Sequence, residues 1–219
     1  MTQLQDKVVV IAGATSAAGR TVTRALVDAG ARVVVVGSHQ GRLDELEIEI
    51  PGVVGERADL TDGDDVLELA MRVHAKVGDV DGVVHLVGGW RGGGGIPGQT
   101  EEDYRLLERS FTALRYVSRV FWDDLTASDA GRVAIVSSTT VEKPTAGGAN
   151  YTAVKAASES WMRSLADGFA KAEAPGAAVT FRVKALAGLE PRLADEVVAL
   201  WAADAAPSDL NGRVTTLEG

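Results

Sequence analysis

Three residues in the second half of the chain have the types and the spacing for proton chemistry: Ser138, Tyr151 and Lys155. Tyr151 and Lys155 stand four positions apart in a stretch with helical character, so their side chains share one helix face. A Lys ammonium beside a phenol favours the phenolate and lowers a phenol pKa that starts near about 10 toward the range of a working acid or base. Ser138 ends a strand-like run and could hydrogen-bond an oxygen whose charge changes during hydride transfer. A Tyr and a Lys at this spacing also occur together by chance, so the pair gains weight only in combination with other features.

A loop of small residues near the start of the chain could hold a phosphate group. It follows the apolar run Val8 to Ile11 and precedes an amphipathic helical stretch. Small residues let the backbone approach a pyrophosphate, and the N-terminus of the following helix offers N–H groups with partial positive charge. The spacing of its glycines is not G-x-G-x-x-G, and a plain strand-to-helix turn is the alternative. The candidate cofactor-binding residues of this loop are Gly13, Thr15, Ser16, Ala17, Ala18 and Gly19.

Short β-branched runs alternate along the chain with stretches of helical periodicity. Their near-continuous apolar character is typical of strands buried on both faces. The runs are Val8 to Ile11, Val33 to Val36, Val83 to Val87, Val133 to Val136, Val179 to Val183 and, more weakly, Val214 to Leu217. This alternation predicts an α/β fold, a single domain over residues 1–219 in which a doubly wound parallel sheet carries helices on both faces. The ligand crevice of such a fold lies at the carboxyl ends of the strands.

The composition argues against several classes of partner. The 219 residues include 22 Lys plus Arg and 31 Asp plus Glu, which gives a net charge of −9. This charge repels phosphodiester backbones and anionic lipid, so we expect neither nucleic acid nor a membrane as a partner. The chain has no Cys, which excludes disulfides and Cys-based metal sites, and we expect no metal. Because it shows neither a signal-like start nor an apolar stretch of about 18 residues, we expect a cytoplasmic location.

The combined features resemble the short-chain dehydrogenase/reductase family over nearly the whole chain. The matching positions are Gly13 and Gly19 in the phosphate loop, Asp59 and Leu60 after strand three, Gly88 after strand four, and Ser138, Tyr151 and Lys155. The resemblance implies a Rossmann domain with seven strands in the order 3-2-1-4-5-6-7. It also implies a nicotinamide cofactor and a small-molecule carbonyl or alcohol substrate.

The resemblance also implies a role for each matching residue. Tyr151 would be the general acid/base, Ser138 would orient the substrate, and Lys155 would hold the nicotinamide ribose while lowering the Tyr151 pKa. Further cofactor contacts would come from the residues after strands three and four that border the adenine and the ribose: Asp59, Leu60, Val87 and Gly88.

Two departures from the family pattern bear on the catalytic set. In the predicted helix Asp103 to Leu125, Ser110 occupies the position of the family's catalytic Asn, which holds a water that links the Lys to solvent. The Ser110 hydroxyl could bond such a water, and a Ser110 that is solvated or bonded to its own helix is the alternative. His85 stands where the family has an amide that ties neighbouring strands together. We expect it to be a packed histidine, away from Tyr151, rather than a catalytic one.

The segment after strand six is too short for the family's substrate lid. Only Ala185 to Leu189 separates this strand from the last predicted helix, Arg192 to Ala203. The glycine-rich residues 88–95 carry Trp90 and Arg91, which could offer the substrate an apolar face and an anion contact. A flexible surface loop is the alternative.

The end of strand two favours NADP over NAD. Gly37 stands where a fold that prefers NAD would carry an acidic residue for the ribose hydroxyls. Without that carboxylate a 2′-phosphate is not repelled, and Ser38, His39 and Arg42 could donate hydrogen bonds to it. Arg42 could equally cover the next helix. We therefore expect NADP as the cofactor, with NAD as the alternative.

Three functions are compatible with the sequence. The first is an NADP(H)-dependent oxidoreductase with Tyr151 as acid/base; the second is a catalytically silent cofactor-binding sensor or scaffold module; the third is an interaction protein that uses only the fold. The resemblance also implies a homodimer or homotetramer, formed through the helices Asp103 to Leu125 and Tyr151 to Lys171. The aromatic residues that could lie on these helix faces, or equally in the core, are Tyr116, Phe121, Trp122 and Trp161.

Overall fold

The apolar runs form one parallel sheet in the computed structural model, which describes residues 4–218. The strands are β1 (Val8–Ala12), β2 (Arg32–Gly37), β3 (Val54–Arg57), β4 (Gly82–His85), β5 (Arg132–Ser138), β6 (Ala177–Val183) and β7 (Val214–Leu217). Their order in the sheet is β3-β2-β1-β4-β5-β6-β7, and every neighbouring pair is parallel. The predicted doubly wound fold and its strand order are therefore confirmed.

Helices cover both faces of this sheet. They are α1 (Ala17–Asp28), α2 (Gln40–Glu49), α3 (Gly63–Val77), α4 (Glu101–Val120), α5 (Trp122–Ala127), α6 (Ala149–Lys171), α7 (Glu190–Ala199) and α8 (Pro207–Leu210). The apolar faces of α1, α2 and α7 pack on one side of the sheet, and those of α3, α4 and α6 pack on the other. Alternate residues of the central strands contribute to the two cores: Val9 and Ile11 point to the first and Val8 and Val10 to the second.

Two helices differ from the bounds predicted from the sequence. The helix predicted over Asp103 to Leu125 is two helices, α4 and α5, which are separated at Phe121. The Phe121 backbone leaves helical angles (φ −100°, ψ 12°), while its ring is completely buried and meets the His74 ring edge-on. Burial of this ring overrides the helical periodicity of the sequence. The helix predicted over Arg192 to Ala203 begins and ends earlier, at Glu190 and Ala199.

The fold brings the strand ends of interest to one edge of the sheet. Gly13, His85, Ser138 and Lys184 each lie at or directly after the carboxyl end of a strand, so the chemistry expected from the sequence meets at that edge. The segment 184–189 links β6 to α7 directly, and the substrate lid region is short as expected. Within residues 4–218, no helix combines the length and the apolar character that crossing a membrane requires.

Candidate active site

Ser138, Tyr151 and Lys155 line a single cavity of about 390 Å³, which we call the Tyr151 cavity. Ser138 is the last residue of β5, and the other two lie on the first turns of α6, one helical turn apart. The residues that follow β4 and β6 complete its wall. These further lining residues are His85, Leu86, Val87, Gly88, Gly89, Trp90, Val136, Thr140, Val183, Lys184, Ala185, Leu186 and Ala187.

The Ser138 hydroxyl is oriented by its neighbour Thr140. Ser138 Oγ accepts hydrogen bonds from the Thr140 backbone N–H (3.2 Å) and from the Thr140 hydroxyl (3.0 Å). The Thr140 hydroxyl is itself held by a hydrogen bond from Thr152 (3.1 Å). A hydroxyl offers one donor and two acceptor lone pairs, so both lone pairs of Ser138 are taken and its proton is free to be donated. The Tyr151 phenol lines the same cavity, and hydrogen bonding from Ser138 acts to lower its pKa.

Tyr151 is held as a neutral phenol in this arrangement. Burial raises its pKa above the usual value, and the hydrogen bond from Ser138 acts in the opposite direction without reversing the shift. The expected lowering of this pKa by Lys155 is not seen. The Lys155 ammonium lies 5.8 Å from the centre of the Tyr151 ring and donates instead to the Val136 carbonyl (2.8 Å). Tyr151 and Lys155 share a helix face, as the sequence indicated, but the hydrogen bond of the Lys155 ammonium goes to the Val136 carbonyl.

The Lys155 side chain is partly buried in the wall of the Tyr151 cavity. Burial lowers its pKa to about 8, and the negative charge of Glu159, one helical turn further on, partly opposes this shift. Glu159 is 2% exposed, pairs with Arg182 (2.7 Å) and accepts a hydrogen bond from the Ser137 hydroxyl (2.6 Å). These contacts fasten the start of α6 to the ends of β5 and β6, and thereby fix Lys155 relative to Ser138.

Ser110 does not face the Tyr151 cavity. It is 8% exposed, and its hydroxyl donates to the Leu107 carbonyl of its own helix (2.8 Å), which was the alternative to a water-binding role. Its backbone carbonyl instead accepts a hydrogen bond from His85 Nε2 (3.0 Å). His85 is buried, as predicted, and its ring lines the cavity that Tyr151 and Lys155 also line. The ring reaches the cavity because β4 ends beside β5 in the sheet.

A second hollow, of about 220 Å³, lies beside the glycine loop and brings many of the predicted cofactor residues together. We call it the glycine-loop hollow. Its predicted lining residues are Gly13, Thr15, Ser38, Asp59, Leu60 and Val87, and further residues include Gly37, Thr61 and Arg109. Gly88 lines the Tyr151 cavity, and Val87 lines both, so the two spaces adjoin at the end of β4.

Two glycines give the loop a backbone that other residues could not adopt. Gly13 has φ +83°, and a Cβ atom there would lie 2.9 Å from the backbone of Leu86. A Cβ atom on Gly19 would lie 2.4 Å from the Ala14 carbonyl oxygen. The absence of side chains therefore lets the loop lie close to the end of β4 and turn tightly into α1, which shapes a backbone cradle of the kind that binds pyrophosphate.

The first turn of α1 leaves N–H groups for an anion. The Ser16 hydroxyl caps the helix by accepting from the Gly19 N–H (3.0 Å) and donates to the Gly13 carbonyl (3.0 Å). The N–H groups of Ala17 and Ala18 have no acceptor among residues 4–218. Of the predicted loop residues, Ser16, Ala17, Ala18 and Gly19 form the helix start rather than the wall of the hollow.

Asp59 is fixed by an ion pair that the sequence did not reveal. Its carboxylate accepts from the Thr61 hydroxyl (2.6 Å) and backbone N–H (2.9 Å), and it pairs with Arg109 of α4 (3.2 Å). The hydrogen bonds from Thr61, followed by the charge of Arg109, hold the Asp59 pKa below its usual range. Asp59 and Arg109 are 50 positions apart in the sequence, so no local sequence pattern predicts this ion pair.

The residues expected near a 2′-phosphate are exposed at the end of β2. Ser38 lines the glycine-loop hollow, and its hydroxyl lies 2.9 Å from His39 Nδ1. His39 and Arg42 are exposed but do not line that hollow. Gly37 does line it, and a Cβ atom there would make ordinary 3.5 Å contacts to Thr15 and Leu43.

The glycine-rich segment 88–95 is fastened beside the cavity rather than free. The two N–H groups of the Gln99 amide are shared among the carbonyls of Gly93 (3.0 Å), Gly95 (3.1 Å) and Gly147 (3.0 Å), and its amide oxygen accepts from the Asn150 N–H (3.1 Å). Trp90 lines the Tyr151 cavity and keeps 61% of its surface exposed, so its ring is available to a ligand. Arg91 does not line this cavity; it lies 3.9 Å from the Asp103 carboxylate. Sequence reasoning missed Gln99 because its partners come from segments far apart in the chain.

Comparisons with known proteins agree with this geometry. A family model described as short chain dehydrogenase matches residues 7–187. An uncharacterized oxidoreductase of Bacillus subtilis is 29% identical over 168 residues, which cover 75% of this chain and 64% of that relative. An acetoacetyl-CoA reductase of a Synechocystis species is 29% identical over 164 residues, which cover 74% of this chain and 65% of that relative. The matched region thus spans a little under two thirds of the length of these two relatives.

Solved structures of similar fold cover nearly the entire chain. A 3-ketoacyl-(acyl-carrier-protein) reductase from Brucella melitensis, solved in complex with NADH, superimposes with a TM-score of 0.87 at 20% identity over 99% of this chain and 98% of that one. A second protein from the same organism, titled short-chain dehydrogenase/reductase and glucose/ribitol dehydrogenase, has a TM-score of 0.85 at 15% identity over 99% and 96% of the two chains. At these identities the likeness is one of fold.

Proposed function

The chain belongs to the short-chain dehydrogenase family of NAD(P)-dependent oxidoreductases, and from that premise we propose that it transfers a hydride between NADP(H) and a carbonyl or alcohol substrate, with Tyr151 as the acid/base. One observation carries the proposal: the Ser138 hydroxyl, which its contacts with Thr140 leave able to donate, and the neutral phenol of Tyr151 lie in one cavity with Lys155. That cavity adjoins the glycine-loop hollow at Val87, so a dinucleotide that extends along both would reach from the loop to Tyr151.

Each residue of the candidate site has a distinct role in the proposed carbonyl reduction. The nicotinamide, when bound, supplies the hydride. Ser138 donates a hydrogen bond to the substrate oxygen as negative charge develops there. Tyr151 donates its phenolic proton to that oxygen, and the resulting phenolate is stabilised by the positive charge of Lys155. The cofactor would be held by the cradle of Gly13 and Gly19.

The burial of Lys155 predicts a pH dependence for the reduction. Its ammonium is charged below its pKa of about 8 and neutral above it. Because the positive charge stabilises the phenolate that Tyr151 becomes, we expect kcat/KM for carbonyl reduction to fall as the pH rises through about 8. A pH profile measured with saturating NADPH tests this. A rate that rises across the same pH range would contradict the role given to Lys155.

NADP as the preferred cofactor is supported by the end of β2. Gly37 places no carboxylate against a 2′-phosphate, and the nearby exposed side chains of Ser38, His39 and Arg42 are donors. NAD is the alternative, because the described hydrogen bonds commit the Ser38 hydroxyl to His39.

The decisive experiment combines cofactor titration with a carbonyl panel. NADPH and NADH are titrated against the purified protein by fluorescence, and oxidation of the bound cofactor is then followed with aldehydes, ketones and 3-ketoacyl thioesters. The thioesters are included because two similar proteins are named as reductases of such compounds. We expect NADPH to bind more tightly and at least one carbonyl to be reduced. Binding without any oxidation would favour a sensor or scaffold module, which the inward-facing Ser110 hydroxyl and the short lid segment also suit.

We further propose a homodimer or homotetramer formed through α4 and α6. Trp161 on α6 and Tyr116 on α4 are only partly buried, whereas Phe121, which could have joined them at the surface, belongs to the core. Trp122 packs on Phe169 with ring centres 4.7 Å apart. Light scattering coupled to size-exclusion chromatography measures the mass, and a monomer would contradict the proposal.

A further inference from the structure

His85 carries a buried ring nitrogen without a partner. The residue ends β4 and is 5% exposed, and its Nε2 atom lies 3.0 Å from the Ser110 carbonyl oxygen. Because a carbonyl oxygen can only accept, Nε2 carries the ring proton and Nδ1 is left as an acceptor. Nothing within residues 4–218 donates a hydrogen bond to Nδ1. Buried polar atoms of this kind are rare in native proteins, because leaving one unsatisfied costs free energy.

The unpartnered nitrogen belongs to a ring that lines the Tyr151 cavity beside Lys155. Burial, followed by the positive charge of Lys155, lowers the His85 pKa to about 3, so the ring is neutral and keeps the Nδ1 lone pair throughout the neutral range. Its geometry is fixed from the other side by the hydrogen bond to the Ser110 carbonyl. The acceptor is therefore held in place rather than free to turn away.

Lys155 supplies hydrogen-bond donors that complement the His85 Nδ1 acceptor. An ammonium group has three donors, and within the described part of the chain only the Val136 carbonyl accepts from it. Lys155 Nζ makes no direct hydrogen bond to His85 Nδ1. An oxygen atom that accepts from the ammonium and donates to the imidazole would satisfy both groups, and such an oxygen belongs to water or to a hydroxyl group.

We propose that His85 Nδ1 and Lys155 Nζ together bind the oxygen of a water molecule or a hydroxyl group in the Tyr151 cavity, and that His85 thereby positions the Lys155 ammonium. His85 is a positioning residue: it acts through Lys155 and touches neither Tyr151 nor the reacting atoms. The kinetic part of this proposal rests on the proposed oxidoreductase function, whereas the binding part does not.

Two substitutions of His85 distinguish the contribution of Nδ1 from that of Nε2. Asn has its side-chain oxygen as many bonds from the backbone as Nδ1, so His85→Asn keeps an acceptor toward Lys155 and loses the bond to Ser110. Gln has its amide nitrogen as many bonds out as Nε2, so His85→Gln keeps the bond to Ser110 and loses the acceptor. We expect kcat to fall about tenfold or more in His85→Gln, with an unchanged KM for NADPH, because a hydrogen bond to a charged group is lost. We expect His85→Asn to stay within about threefold of the wild type. Any other order of the two variants would overturn the proposal, since a purely structural ring depends on the bond to Ser110.

A measurement independent of turnover tests the binding itself. The ¹⁵N chemical shifts of the His85 ring in the full-length protein report whether Nδ1 accepts a hydrogen bond. We expect a single neutral tautomer with the proton on Nε2 and an Nδ1 shift displaced from that of an unbonded imidazole nitrogen. An Nδ1 shift typical of an unbonded nitrogen would overturn the proposal. If the wild type reduces no carbonyl, the proposed function fails, and the ring shifts still decide the water or hydroxyl site.

Discussion

Tyr151→Phe is expected to lower kcat for carbonyl reduction by between about 100-fold and 10,000-fold, the range that a positioned general acid contributes. The substitution removes one oxygen atom from a partly buried ring and leaves its packing in α6 intact. The Ser138 hydroxyl keeps its two acceptor bonds from Thr140, so the substrate oxygen can still be bound but receives no proton. The loss should therefore appear in kcat, while the KM for NADPH stays close to that of the wild type.

Tyr104→Phe is a matched control for this loss. Tyr104 lies on α4, is partly exposed and lines neither the Tyr151 cavity nor the glycine-loop hollow. It loses the same oxygen atom outside both spaces, and we expect full activity. Stopped-flow measurement of NADPH oxidation with both variants at one pH gives the comparison. Equal rates in Tyr151→Phe and the wild type, for every carbonyl that reacts, would exclude Tyr151 as the acid.

The sheet was predictable because the central strands are apolar on both faces. Runs such as Val8 to Ile11 and Val133 to Val136 mark strands that the structure contains within a residue or two of their predicted ends. β3 has no such run: it lies at the edge of the sheet and is only partly buried, so its residues do not need to be continuously apolar. The break between α4 and α5 was not predictable either, because it depends on the ring of Phe121 packing against α3.

The candidate catalytic residues were predictable for a different reason. A Ser at the end of a strand, and a Tyr and a Lys one helical turn apart, follow from local geometry that any sequence of this pattern shares. The spacing of these residues does not show which hydrogen-bond partner each polar atom will have in the folded protein. The Lys155 ammonium donates its hydrogen bond to the Val136 carbonyl rather than to Tyr151, and the Ser110 hydroxyl donates to the Leu107 carbonyl. These hydrogen-bond partners depend on segments that come into contact only in the folded protein.

Gly37→Asp is expected to reverse the cofactor preference. The new carboxylate would lie in the glycine-loop hollow beside Ser38, where it can accept hydrogen bonds from the 2′- and 3′-hydroxyls of an NADH ribose and repel the 2′-phosphate of NADPH. The side chain fits, because a Cβ atom at this position makes only ordinary contacts of 3.5 Å and the backbone is not in the left-handed region. Juxtaposed like charges cost several kcal/mol, so we expect the ratio of kcat/KM for NADPH to that for NADH to fall by about 100-fold or more.

A second acidic variant shows whether the position of the charge is what matters. Ser208→Asp adds the same charge at an exposed position of α8. The nearby Gly212 donates a hydrogen bond to Ala178 at the amino end of β6, so this position lies at the opposite edge of the sheet. Both variants lower the net charge of −9 by the same amount. If the preference arises at the end of β2, only Gly37→Asp changes the ratio. An unchanged ratio in Gly37→Asp would mean that the adenosine ribose is bound elsewhere, because a carboxylate within hydrogen-bonding reach of its hydroxyls cannot be indifferent to a phosphate at the same place.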